Sequence, residues 1–199
     1  MSDPTTGRAQ DPLILASSSP QRRAILEQLR IPFEAVAPTY VERDPPHVEP
    51  AELVRTHAEG KAGSVREEGR LTVGVDTTVA LDGQVYGKPA DQEDATRMLR
   101  DLSGRTHMVV SGLCVLGPEL HFTTHEVTAV TFRPLTAQLL TVYLESGEWE
   151  GRAGGYAIQG LGGRLVERID GDYLNVVGLP GALLVSLLEL HAPNLLEIA

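Results

Sequence analysis

The sequence predicts a mixed α/β fold with antiparallel hairpins among its strands. Three observations predict it. Apolar runs of strand length recur, clearest in L-T-V-G-V-D-T-T-V-A-L, residues 71–81. Helical periodicity lies between them: Ala95, Met98, Leu99 and Leu102 repeat at i, i+3, i+4 and i+7. An Asp82-Gly83 pair then joins two apolar segments, the signature of a tight hairpin.

The elements follow in order. Leu13 to Ala16 are continuously apolar and predict a buried strand. Pro20 suits a first helical position, with Ser19 as cap, and Ala24, Ile25, Leu26 and Leu29 give that helix its apolar face. I-P-F-E-A-V-A-P (31–38) predicts a second strand, and V-E-R-D-P-P-H-V-E-P (41–50) an acidic, proline-rich loop. Residues 50–68 predict a polar helix ending near Gly69. After the strand at 71–81, Q-V-Y-G-K-P returns the chain, and 91–104 predict an amphipathic helix with Gly104 near its C-cap. Long strands are expected near 106–116 and 121–133, and a helix at 136–146. Residues 147–163 read as a glycine-rich loop, and a loop of that length in a compact domain is usually functional. R-L-V-E-R-I-D-G-D-Y predicts a strand and turn, and Pro180 precedes a last apolar helix.

A chain of 199 residues suits one domain. Residues 13–199 are expected to form it, behind a flexible N-terminal tail over 1–12. The single cysteine, Cys114, sits in an apolar run and reads as a small buried hydrophobe. One cysteine allows no internal disulfide, which suggests a reducing, cytoplasmic setting. The net charge of −10 argues against nucleic acid or an anionic membrane as partner. The N-terminus shows no apolar signal-peptide core, and G-A-L-L-V-S-L-L-E-L is too short to span a bilayer.

Four sites could carry chemistry. L-A-S-S-S-P-Q-R-R places serine hydroxyls and backbone N–H groups at a helix N-terminus, a ready anion site. Arg22 and Arg23 lie in that first turn, where the helix dipole disfavours them, and a bound polyanion removes the penalty. Asp76 interrupts an apolar strand, and a carboxylate there needs a partner or a metal. Gly87 and Pro89 fix the backbone around Lys88. Glu42, in the acidic loop, could join Asp76 in binding Mg2+, which favours one or two carboxylates plus phosphate oxygens. Lys61, on the polar helix, reads as a surface residue. His121 and His125 lie four apart in a strand, without zinc-type spacing, and read as structural. Together these residues point to phosphate chemistry with a hard cation.

At these positions the sequence resembles the Maf family of nucleoside triphosphate pyrophosphatases, first associated with septum formation. L-A-S-S-S-P-Q-R, G-V-D-T-T-V, G-K-P, L-S-G-R-T-H (102–107), G-Y-A-I-Q-G (155–160) and V-V-G-L-P (176–180) follow the family's motifs in order. The resemblance implies a twisted mixed sheet with flanking helices, in two lobes around a cleft, similar to the inosine triphosphatase architecture. It also implies hydrolysis of a nucleoside triphosphate at the α-phosphorus, with Mg2+ or Mn2+ as cofactor and a homodimer as the assembly. It places Asp76 as proton acceptor, and Ser17, Arg22, Glu42, Lys61 and Lys88 at phosphate- and metal-handling positions.

Three positions separate the family's branches. The branch acting on dTTP and UTP has arginine after S-P, threonine after the aspartate, and glutamine in I-Q-G. Here stand Gln21, Thr77 and Gln159, so two of the three agree. A glutamine amide both donates and accepts, and could pair with the edge of uracil or thymine. Gln21 puts a neutral amide in place of a cation and points to a broader substrate range. The rival expectations are a 7-methyl-GTP pyrophosphatase, and a nucleotide-sensing regulator of division without useful catalysis.

Overall fold

The computed structural model describes residues 11–45 and 48–197. The expected N-terminal tail therefore lies almost wholly outside the described residues. The described chain forms a seven-stranded mixed sheet in the order β2-β1-β3-β5-β6-β7, with β4 also pairing to β3. The strands are β1 (Leu13–Ala16), β2 (Phe33–Val36), β3 (Thr72–Leu81), β4 (Gln84–Tyr86), β5 (Thr106–Leu116), β6 (His121–Phe132) and β7 (Val166–Asp170). The helices are α1 (Pro20–Gln28), α2 (Pro50–Ser64), α3 (Gln92–Leu102), α4 (Ala137–Glu145), α5 (Tyr173–Val177) and α6 (Gly181–His191). None of the described helices is long and apolar enough to cross a membrane.

The local signals explain most of these elements. Ser19 caps α1, its hydroxyl accepting from the Arg22 N–H. Asp82 and Gly83 both hold positive φ, 51° and 79°, as a two-residue hairpin between β3 and β4 requires. Gly104, with φ 69°, follows the end of α3 as a left-handed C-terminal residue.

The predicted polar helix stops earlier than expected, at Ser64 rather than near Gly69. Ser64 turns its hydroxyl back onto the Lys61 carbonyl at 2.8 Å, and Val65 leaves helical geometry. The helix is also buried along one stripe, of Leu53, Val54, His57, Ala58, Lys61 and Ala62. Lys61 is thus not a surface residue but only 7% exposed. A short helix, α5, stands where only a turn was expected, because Asp172 caps it by accepting from the Leu174 N–H at 2.8 Å.

The long β3–β5 pair carries a core at each of its ends. Val73 and Val75 with Leu113 and Val115 pack against α1 and α6. Val79 and Leu81 with Val109 pack against α3, α4 and Tyr156. Between the two cores, on the same face, Thr77 opposes Ser111, their hydroxyls 2.9 Å apart. One polar rung therefore divides the apolar face of the sheet into two lobes.

The other face receives α2, and two glycines let it come close. A Cβ on Gly74 would collide with the Ala58 carbonyl, and one on Gly112 with the Val54 carbonyl. This close seating brings Lys61 down onto the strand that carries Asp76.

Candidate active site

A topological gap opens the sheet beside Asp76. Along one edge, β3 pairs with β1 at Thr72–Gly74 and with β4 at Val79–Leu81. Residues 75–78 have β5 on their other side but neither β1 nor β4 beside them. The chain leaves β1 as Ser17-Ser18-Ser19 and leaves β4 as Gly87-Lys88-Pro89, so both loops flank this gap. A crevice where strand ends diverge is the usual ligand position in sheets covered by helices. A cleft of about 380 Å³ lies here, lined by Ser17, Gln21, Arg22, Glu42, Lys61, Thr77 and Lys88 among others.

The charged groups converge on Lys61. Its ammonium stands 2.6 Å from Glu42 Oε1 and 2.5 Å from Asp76 Oδ1. The Asp76 side chain is 14% exposed and lies behind Lys61. The Glu42 carboxyl sits below its ordinary value. Burial alone would raise it, but the hydrogen bond and charge of Lys61, with Lys88 and His57 further off, outweigh that. Glu42 is brought in by a clamp on its loop. Tyr40 Oη and Asp44 Oδ1 hold the two ring nitrogens of buried His57, at 3.1 and 2.8 Å, bracketing Glu42 in sequence. Tyr40 also lies flat against Gly60 of α2, where a Cβ would strike its ring.

Arg22 does not point to solvent. Its guanidinium donates to the Gly178 carbonyl at 2.9 Å, and to Ser17 Oγ and Thr77 Oγ1 at 3.3 Å each. Burial lowers its pKa, and the charges of Asp76 and Glu42 oppose that shift. Arg22 thereby ties α1, β3 and the end of α5 together at the polar rung. Arg23 is exposed. Gln21 lines the cleft, with its Oε1 accepting from Ser19 Oγ at 3.1 Å.

The nine predicted site residues are not all assembled. Ser17, Gln21, Arg22, Glu42, Lys61, Thr77 and Lys88 share the cleft wall, and Asp76 touches it through Lys61. Gln159 is exposed and is not among the lining residues. The glycine-rich loop enters the cleft through Gly151, Arg152, Ala153 and Tyr156 instead. Sequence reading gave no role to Arg152, the one cation between the glycines of E-G-R-A-G-G.

The sequence model of the family described as Maf-like protein matches residues 12–191. The chain belongs to the Maf family. Curated relatives agree in kind. The dTTP/UTP pyrophosphatase of Nitratidesulfovibrio vulgaris is 49% identical over 184 residues, covering 90% of this chain and 88% of that protein. Those of Symbiobacterium thermophilum and Pyrococcus furiosus, each named dTTP/UTP pyrophosphatase, are 45% and 42% identical. They cover 84% and 89% of this chain, and 88% and 94% of their own lengths.

The donor set of this Maf site suits a hard cation. Glu42 and Asp76 already share one cation, the Lys61 ammonium, at hydrogen-bond distance. Among the described residues, no group of three or more histidine, cysteine, aspartate or glutamate side chains is arranged to hold a metal ion by itself. Two carboxylates, completed by phosphate oxygens and water, match Mg2+ better than zinc.

Proposed function

We propose that this protein hydrolyses dTTP and UTP, and modified pyrimidine triphosphates, to the monophosphate and pyrophosphate. The observation that carries the reading is Lys61 clamped between Glu42 and Asp76 at the open edge of β3. Relatives at 42–49% identity, named dTTP/UTP pyrophosphatases, support the substrate.

Water attacks the α-phosphorus, and the bond from that phosphorus to the bridging oxygen breaks. The bonding electrons leave with pyrophosphate. Asp76 accepts the proton of the water, as a carboxylate within reach of the α-phosphate can. Mg2+ or Mn2+, held by Glu42 and Asp76, would supply charge neutralisation and a lower pKa for the water. Lys88 and Lys61 offset negative charge that builds on the departing group. Arg22 and Ser17 fix the α1 end of the cleft against the phosphates. Thr77 and Gln21 border the same end and act on the nucleotide, and Gln159, outside the cleft lining, is assigned to the base on the family resemblance alone.

The protein is further assigned to the cytoplasm, as a homodimer acting on free nucleotides, without nucleic acid or membrane as partner. Its lone cysteine, buried as expected, and its net charge of −10 support that setting. The dimer rests on the family resemblance. A triphosphate panel tests the base preference. UTP and dTTP should release pyrophosphate at least about tenfold more efficiently than 7-methyl-GTP, the scale of one good polar contact to the base. Equal or greater efficiency with 7-methyl-GTP would overturn the pyrimidine assignment.

A further inference from the structure

Charge accounting in the cleft leaves two cations unexplained, Lys88 and Arg152. Lys61 is satisfied by two carboxylates, and Arg22 by a carbonyl and two hydroxyls. Arg152 also lines the cleft, yet makes no ion pair among the described residues. Its Nε is buried and has no hydrogen-bond partner among the described residues. A buried guanidinium N–H left unpaired costs on the order of a kcal/mol or more.

The loop is also fixed relative to Lys88. The Gly154 N–H donates to the Gly87 carbonyl at 3.0 Å, joining the glycine-rich loop to the G-K-P turn. Gly154 holds φ 68° and lies flat on Val79, a site that excludes a side chain. Arg152, two residues before Gly154, and Lys88, one residue after Gly87, therefore stand on one joined rim of the cleft. These two cations, neither of them in an ion pair or a side-chain hydrogen bond among the described residues, share that rim.

We propose that Arg152 is a substrate-binding residue that, with Lys88, grips the terminal phosphates and then the leaving pyrophosphate. The proposal deepens the triphosphate reading above and rests on it. A guanidinium fork suits two oxygens of a phosphate, and Lys88 adds a point charge beside it. Lys61 keeps its place between Glu42 and Asp76, and Arg22 its place at the α1 end of the cleft.

Calorimetry with inorganic pyrophosphate and with UMP, each with Mg2+, tests this without turnover. Arg152→Met keeps the aliphatic stem and removes the fork, and Arg152→Gln gives a second neutral variant. Either variant that melts near the wild type should bind pyrophosphate roughly tenfold more weakly or worse, with UMP affinity changed less than about twofold. Arg152→Lys should recover part of the loss. Unchanged pyrophosphate affinity, or an equal loss for UMP, would overturn the role. Wild-type protein that binds pyrophosphate but hydrolyses no triphosphate would sink the proposed function and leave this inference standing.

Discussion

At the scale of single residues, the site is built by sharing. Lys61 holds Glu42 and Asp76 together, so two like charges stand near each other on one ammonium. Asp76 was legible from the sequence as a carboxylate breaking an apolar strand. Lys61 was not, because its neighbours in the sequence are polar and its burial comes from the stripe it shares with His57 and Ala58. Asp76→Asn keeps size and a hydrogen-bonding oxygen but removes the base. Its kcat on UTP should fall by about a hundredfold or more, the usual scale for general-base loss, while nucleotide affinity holds within a few-fold. Steady-state kinetics with equilibrium binding separates the two. Near-normal turnover in that variant would remove Asp76 from the chemistry.

At the scale of elements, the working parts are positioned by close approach. Helix α2 reaches the sheet because Gly74 and Gly112 present no side chain to its carbonyls. Neither glycine carries a turn signal, so sequence periodicity alone did not reveal why they are there. Gly112→Ala must push α2 outward from backbone atoms that cannot yield. The cost should be about 1–3 kcal/mol, read as a melting temperature lower by roughly 3–10 °C. Because α2 carries Lys61, turnover should fall as well, although Gly112 touches no substrate. Thermal melting and kcat on one preparation check both effects. The hairpin at Asp82-Gly83, the Ser19 cap and the α3 face were all visible in sequence, since each depends on residues a few positions apart. The gap in the sheet was not visible. It arises because two strands distant in sequence pair with different halves of β3.

At the scale of the whole molecule, two cores meet at a polar rung, and one of them contains a titrating group. His107 is 1% exposed and packs edge-on against Phe132 and Tyr156. Its Nε2 meets Tyr156 Oη at 2.9 Å, while Nδ1 has no partner among the described residues. Burial pushes its pKa down to about 4 from 6.5. Between those values the unfolded chain binds the proton and the folded chain does not, so acid favours unfolding. The contribution is complete above pH 6.5 and is lost as pH falls towards 4, up to about 3 kcal/mol in all. The melting temperature should therefore drop more steeply from pH 6.5 to 4.5 in the wild type than in His107→Phe. Parallel curves would show that His107 does not titrate on unfolding.

The family motifs were readable as a string, and the structure gathers most of them at one crevice. Gln159 and Arg152 mark where that reading and the geometry part. One was singled out and stands outside the cleft lining, and the other was passed over and lies within it. Loop residues separated by several glycines have no periodicity from which direction can be read.

The central claim is the bond that breaks, and product analysis reads it directly. UTP incubated with the protein and Mg2+, quenched at early times and resolved by ion-exchange chromatography, should yield UMP and pyrophosphate in equal amounts. UDP and inorganic phosphate as the products, or no turnover of UTP and dTTP with either Mg2+ or Mn2+, would contradict it.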